Sequence, residues 1–149
     1  MTESNQWYCP KCKTNQLAEK QILIYSCPEI LIIHLKRFNN NEKLGNWILF
    51  PITNLDMGKY IHNKEENNIY DLFVVANHQG ALHGGHYYAY CKNEYDKQWY
   101  TFNDSSICDI EENNIVSKYA YILFYKKRQS KYPNLEELYN KPLEEIKGI

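Results

Sequence analysis

Six short apolar runs, at residues 21–26, 30–38, 70–77, 86–92, 98–102 and 119–126, constrain what this chain can fold into more than any other feature. Each is rich in β-branched and aromatic residues and is bounded by Gly, Pro, Asn or Asp, so each reads as a strand. The stretches 30–35 and 119–125 are apolar almost without interruption. That pattern suits strands covered on both faces, by more protein than this chain supplies. Between the runs, Asn39-Asn40-Asn41 and Glu65-Glu66-Asn67-Asn68 read as surface loops. After Arg128 the pattern changes: Pro133-Asn134-Leu135-Glu136-Glu137-Leu138 predicts a helix start with Asn134 as its N-cap, and Pro142 limits its length. The expected organisation is one strand-rich domain over 7–128 and a polar tail with a short helix over 129–149.

Composition excludes several function classes. Of the 149 residues, 17 are basic and 18 acidic, for a net charge of −1, which leaves no basic footprint for nucleic acid and no acidic interaction tail. No apolar run reaches the length that spans a bilayer, and residues 1–7 lack the layout of a signal peptide, so no membrane association and a cytoplasmic or nuclear location are expected. The five cysteines, Cys9, Cys12, Cys27, Cys91 and Cys108, are an odd number in such a chain and point to reduced thiols or metal ligands rather than a disulfide framework.

The segment richest in chemistry is His83-Gly84-Gly85-His86-Tyr87-Tyr88-Ala89-Tyr90, followed by Trp99-Tyr100-Thr101-Phe102-Asn103-Asp104. If 93–97 is the connecting loop, Lys92 faces Gln98, and counting back sets His86 opposite Asp104 and Tyr87 opposite Asn103. A slip of one residue exchanges the two, so the count leaves both Asn103 and Asp104 as partners of the imidazole. Nucleophilic catalysis needs this pairing: an Asp or Asn oxygen takes the Nδ1–H of a base histidine and leaves Nε2 for the nucleophile. Gly84 and Gly85 fit that use, because residues without Cβ let an extended peptide approach closely. On pattern alone, a histidine near a hairpin end is more often a surface or core residue. His78, His83 and His86 together match no familiar zinc spacing.

These segments resemble the ubiquitin-specific protease family. His83 to Tyr90 with Trp99 to Asp104 resembles its histidine box, ILIIHLKRF at 30–38 its characteristic strand, 70–80 its YxLxxVxNHxG segment and 119–125 its closing strand. The resemblance covers residues 7–128. It implies an α+β, mainly antiparallel β fold, the palm-and-finger part of a papain-like cysteine protease domain, here incomplete. It further implies thiol-dependent hydrolysis of bonds after the C-terminal glycine of ubiquitin, with His86 as general base, Asn103 as its orienting partner and Asp104 as an auxiliary polar residue. His83, Gly84, Gly85 and Tyr87 would line the channel for the ubiquitin tail, and the partners would be ubiquitin and ubiquitinated proteins.

Two elements of the family pattern are not matched. Nothing resembles the Cys box that carries the nucleophile: Cys27 precedes Pro28, Cys91 falls inside a strand and Cys108 follows the Asn103-Asp104 turn, none of them at a helix start that would activate a thiol. The chain is therefore expected to supply the His and Asn part of the triad, to be inactive alone, and to need a missing N-terminal half. The alternative is a catalytically inactive protein that binds ubiquitin or serves as a scaffold. Cys9-Pro10-Lys11-Cys12 is one side of a tetrahedral zinc site, so the resemblance implies a structural zinc half-site and no catalytic cofactor. A redox reading of the same pair lacks the βαβ context it would need.

Overall fold

The computed structural model describes residues 6–39, 42–62 and 68–128. The expected tail, 129–149, lies outside the described residues, as do Asn40, Asn41, Glu65, Glu66 and Asn67 of the two expected loops. The regular structure of the described part is almost wholly antiparallel strand, with two short 3-10 turns at Gly58–Tyr60 and Glu112–Asn114 and no α-helix.

A small hairpin comes first. Strands β1 (Trp7–Cys9) and β2 (Thr14–Gln16) pair around the Cys9–Cys12 segment, whose reversal is completed by Lys13 at φ 57° donating its amide to Cys9 O at 2.8 Å. The main sheet runs in the order β3 (Ile30–His34), β9 (Ala120–Lys127), β5 (Ile69–Ala81), β6 (Gly84–Lys92), β7 (Trp99–Asn103) and β8 (Ser106–Ile110), with β4 (Leu55–Asp56) pairing the start of β5. The last strand in sequence thus lies between β3 and β5, which commits both halves of the chain to one sheet.

One face of this sheet carries the core. Tyr70, Leu72, Val75, Tyr90, Trp99, Leu123 and Tyr125 are buried there and close against Met57, Ile61, Ile115 and Ala120. Two buried tyrosines also anchor the connecting segments through their hydroxyls, Tyr70 donating to Pro28 O and Tyr125 to Pro51 O at 2.7 Å. Burial holds the Tyr125 hydroxyl well above its ordinary pKa, so it remains a donor. Arg37 is buried with no carboxylate partner among the described residues. It donates instead to three carbonyls, from Nε to Ala120 at 2.6 Å and from Nη1 to Asn46 at 2.7 Å and Leu44 at 3.2 Å, tying the segment after β3 to the start of β9.

Several expectations are corrected. Residues 21–26 form no strand, making only a single bridge from Ile24 to Ile61, and Ile22 to Tyr25 stay exposed because no strand lies beside them among the described residues. The strand expected over 30–38 stops at His34, and Leu31 and Ile33 face the core while Ile32 is 57% exposed, so the described residues do not cover β3 on both faces. Asn68, read as surface, is buried, with its carbonyl accepting from the Met57 amide at 3.0 Å. Strands β1, β2, β4 and β8 were not expected, since none has a run of apolar residues long enough to show. Cys108 accordingly sits within β8.

Candidate active site

Three reversals bring the expected residues to one end of the sheet. The first is the β5–β6 hairpin, where Ala81 pairs with Gly84, leaving Leu82 and His83 as its two-residue turn, with His83 exposed. Gly80 pairs with Gly85 there. Gly80 has φ 142°, and a Cβ on it would come within 2.5 Å of Gly84 O and of Gly85 Cα, so only glycine fits. The second is the β6–β7 hairpin, and the third the two-residue turn Asp104-Ser105 that joins β7 to β8, with Asp104 at φ 50°, a conformation Asp tolerates.

The β6–β7 register differs by one residue from the count made on sequence. Lys92 pairs with Trp99, and Ala89 with Phe102. The reason lies in the loop: Lys97 takes φ 62°, which turns Gln98 back so that its carbonyl accepts from the Asn93 amide at 2.8 Å. Only four residues remain in the connection, and every pair along the ladder moves by one.

The structure brings His86, Asn103 and Asp104 together. His86 Nε2 lies 2.5 Å from Asn103 Oδ1 and 3.8 Å from the nearer Asp104 carboxylate oxygen. A bond to a carbonyl-type oxygen requires the proton on Nε2, so Nε2–H donates, and in the neutral ring Nδ1 then keeps the lone pair. This reverses the nitrogens assumed from sequence, where Nδ1 was to be held and Nε2 left free. The direction of approach decides it: Asn103 ends the strand beside His86 and meets the far side of the ring. The His86 side chain is 47% exposed and Asp104 81%, so the ring is held yet accessible. On the same face of β6, Tyr88 lies stacked at 6.5 Å from the His86 ring with its hydroxyl pKa pushed up, chiefly by burial and then by its bond with Tyr90.

The remaining expected residues divide. Gly84 and Gly85 lie at the same open end, but their lack of Cβ is not equivalent. A Cβ on Gly84 would meet nothing within 4 Å, whereas one on Gly85 would come within 2.3 Å of His78 Nε2 and 2.7 Å of Gln79 O. Tyr87 is 58% exposed and points to the face opposite His86, its ring 4.6 Å from that of His78. His78, weighed from sequence only beside His83 and His86 as a metal ligand, is therefore packed into this region. Its pairing with Tyr87 across the Gly80–Gly85 turn was the available signal.

No cysteine bonds to His86 among the described residues. Burial pushes the Cys91 thiol up, the wrong direction for a nucleophile, and the exposed Cys108 sulfur lies 3.8 Å from Ser106 Oγ. At the other end of the chain, backbone amides of Cys12 and then Lys11 hold the Cys9 thiol below its usual value. Amides pointed at a sulfur favour its thiolate, the form a metal takes, and Cys9 with Cys12 thus suits two ligands of a zinc ion. Among the described residues no group of three or more His, Cys, Asp or Glu side chains is placed to hold a metal, and none of the three histidines forms one. No helix among them is long and apolar enough to cross a membrane.

Comparison with known proteins gives a consistent result. The family model described as ubiquitin carboxyl-terminal hydrolase matches residues 1–125. Ubiquitin carboxyl-terminal hydrolase 12 of Saccharomyces cerevisiae is 44% identical over 131 residues, covering 84% of this chain and 10% of the relative. Ubiquitin carboxyl-terminal hydrolase 4 of Rattus norvegicus is 42% identical over 137 residues, covering 89% and 14%. Among solved structures, a chain of a SAGA DUB module of Ubp8, Sgf11, Sus1 and Sgf73 bound to monoubiquitin superposes with a TM-score of 0.75 at 36% identity, over 87% of this chain and 30% of that one. The same module bound to ubiquitin aldehyde gives 0.74 at 35%. The chain thus spans a small fraction of the length of the relatives it matches.

Proposed function

Since this chain belongs to the ubiquitin carboxyl-terminal hydrolase family, we propose that it carries the base half of a thiol-dependent deubiquitinase site, with ubiquitin and ubiquitinated proteins as its partners. One observation carries the reading: His86 is held through Nε2 by Asn103 at 2.5 Å on an accessible ring, while its Nδ1 bonds to nothing among the described residues. Asn103 is the orienting partner and the more distant Asp104 carboxylate an auxiliary one. Support for ubiquitin as the ligand comes from the similar solved chains, which belong to modules bound to monoubiquitin and to ubiquitin aldehyde.

In the proposed reaction, Nδ1 of His86 takes the proton of a cysteine thiol. The thiolate attacks the carbonyl carbon of the terminal glycine, and the proton on Nδ1 passes to the leaving amine as the C–N bond breaks. Water then hydrolyses the thioester, again with His86 as base. Throughout, Nε2–H stays with Asn103, which fixes the ring without adding a full negative charge. His83, Gly84 and Gly85, exposed at the same end of the sheet, line the approach of the glycine tail, which Tyr87 borders from the opposite face. The thiol comes from protein outside the palm-and-finger part that this chain represents, because no cysteine among the described residues bonds to the His86 ring. Cys9 and Cys12 hold half of a structural zinc site, closed by ligands from elsewhere in the same assembly.

The test is cleavage of a fluorogenic ubiquitin substrate together with labelling by a ubiquitin probe that traps the active-site cysteine. The chain alone is expected to show neither, and cleavage should appear when a thiol-bearing N-terminal half from a related enzyme is supplied. Labelling of the chain alone that vanishes on Cys27→Ser, Cys91→Ser or Cys108→Ser would refute this assignment. Ubiquitin binding without cleavage in any assembly would establish the scaffold reading instead.

A further inference from the structure

His78 is buried directly behind the strand that carries His86, and nothing in the proposed chemistry uses it. It pairs with Tyr87 while the next residue, Gln79, pairs with His86. His78 therefore lies on the face of the sheet opposite the catalytic ring. Its ring rests against Tyr87 at 4.6 Å and occupies the space where a Gly85 Cβ would stand, so it touches the residues on both sides of His86. From behind it is packed edge-on by Phe38 at 5.3 Å, with Tyr121 at 6.2 Å, and its carbonyl accepts from Lys43 Nζ at 2.5 Å.

We infer that His78 is a positioning residue: a buried ring, acting by shape, that holds the Gly85-His86-Tyr87 backbone so that His86 meets Asn103. Two observations favour shape over hydrogen bonding. Among the described residues the buried Nδ1 has no partner, and Nε2 lies against the Gly85 backbone, 2.3 Å from where its Cβ would stand, without a hydrogen bond to it. A buried polar atom left unpaired costs stability, which packing at a functional strand can justify. Burial, then the nearby Lys43 charge, holds the His78 pKa below its usual value, consistent with a neutral ring. The role is needed because β6 is weakly fixed here. Gly84 and Gly85 bring backbone freedom, and among the described residues 84–88 are paired by β5 alone, since the ladder with β7 starts at Ala89.

The inference rests on the catalytic reading of His86, but its test needs neither ubiquitin nor a thiol. Amide 15N relaxation of this chain, with the nuclear Overhauser contact between the His86 ring and the Asn103 side chain, reads the order of the strand and the His86–Asn103 geometry separately from activity. In the wild type, amides 85–87 should be ordered, with order parameters of about 0.85, and the contact present. His78→Ala should lower them towards about 0.6 and abolish the contact. His78→Phe, which keeps a ring and removes both nitrogens, should restore both. Leu123→Ala, a core truncation on the other face, should leave both in place. Gly85→Ala, which pushes against the ring without removing it, should lose the contact, and it covers the case in which His78→Ala does not fold. Unchanged order and contact in His78→Ala or in Gly85→Ala, failure of His78→Phe to restore them, or an equal loss in Leu123→Ala would each overturn the inference.

Discussion

At the closed end of the β6–β7 hairpin, polar side chains are tied into the fold; at the open end they are left to solvent. The loop at the closed end is held by Asn93 accepting from the Tyr95 amide, Asp96 accepting from the Gln98 amide and the Tyr100 hydroxyl donating to Asp96, each at 2.9 Å. Ion pairs join neighbouring strands to it or flank it: Lys126 with Glu94 at 2.8 Å, Lys92 with Glu112 at 3.4 Å and Arg128 with Asp71 at 2.6 Å. At the open end one imidazole, one amide and one carboxylate meet on exposed side chains with little else to hold them. In the closed-end loop Asn93 and Asp96 each make more than one bond, whereas among the described residues the His86 ring bonds through one nitrogen only. The contrast says which end should respond to substitution in stability and which in activity.

The largest expected effect lies at the open end. In an assembly that supplies the thiol, His86→Ala should lower turnover by on the order of 10⁴-fold or more, with a melting temperature close to wild type. Asn103→Ala should cost less, because Asp104 or water can partly orient the ring. An His86→Ala protein that unfolds would erase the contrast between the ends.

Next is the anchor of the closed end. Trp99 is buried and its Nε1 donates to Glu112 at 3.3 Å, so Trp99→Ala should destabilise the chain by about 3–5 kcal/mol in denaturant titration. A loss below about 1 kcal/mol would show that the core does not run through β7 as described.

Acid should act through His78. Its folded pKa lies below its ordinary 6.5, so the unfolded chain takes up this proton first as pH falls. The contribution is constant above pH 6.5 and stability declines as pH drops from there towards the folded pKa. Thermal melts from pH 7.5 downwards should show that slope, and His78→Phe should remove it. An identical slope in both proteins would mean that another group titrates.

The smallest effect belongs to the ion pairs. The Arg128 hydrogen bond holds the Asp71 carboxyl below its ordinary 3.8, so this contribution is present above that value and is lost as pH falls through the folded pKa. Both side chains are more than a third exposed, so Asp71→Asn should cost no more than about 1 kcal/mol near neutral pH, with no change in turnover. A larger loss of turnover than of stability would join the two ends that the structure keeps apart.

Much of this was legible before the structure. Strands β3, β5, β6, β7 and β9 follow from runs of β-branched and aromatic residues, although their ends shift by one to several residues. The meeting of His86 with the Asn103-Asp104 pair follows from hairpin connectivity, which sets the end of β7 beside the start of β6 within one residue of register. What failed to show were features set by neighbours distant in sequence. Residues 21–26 have the composition of a strand but no partner, and the Arg37 guanidinium finds its acceptor 83 residues away at Ala120. Gly84 and Gly85 look alike in sequence, yet only Gly85 is packed against another side chain.

By itself the sequence determined the kinds of element and the candidate base with its two possible partners, because these depend on residue type and spacing along one chain. The tertiary structure decided the register of β6 on β7, through the φ of Lys97, and with it the proximity of His86 to Asn103. It decided which ring nitrogen is held, through the side from which Asn103 approaches. It also set His78 behind the site. Each of these depends on where a second strand lies, and that position comes from closing the whole sheet over its core.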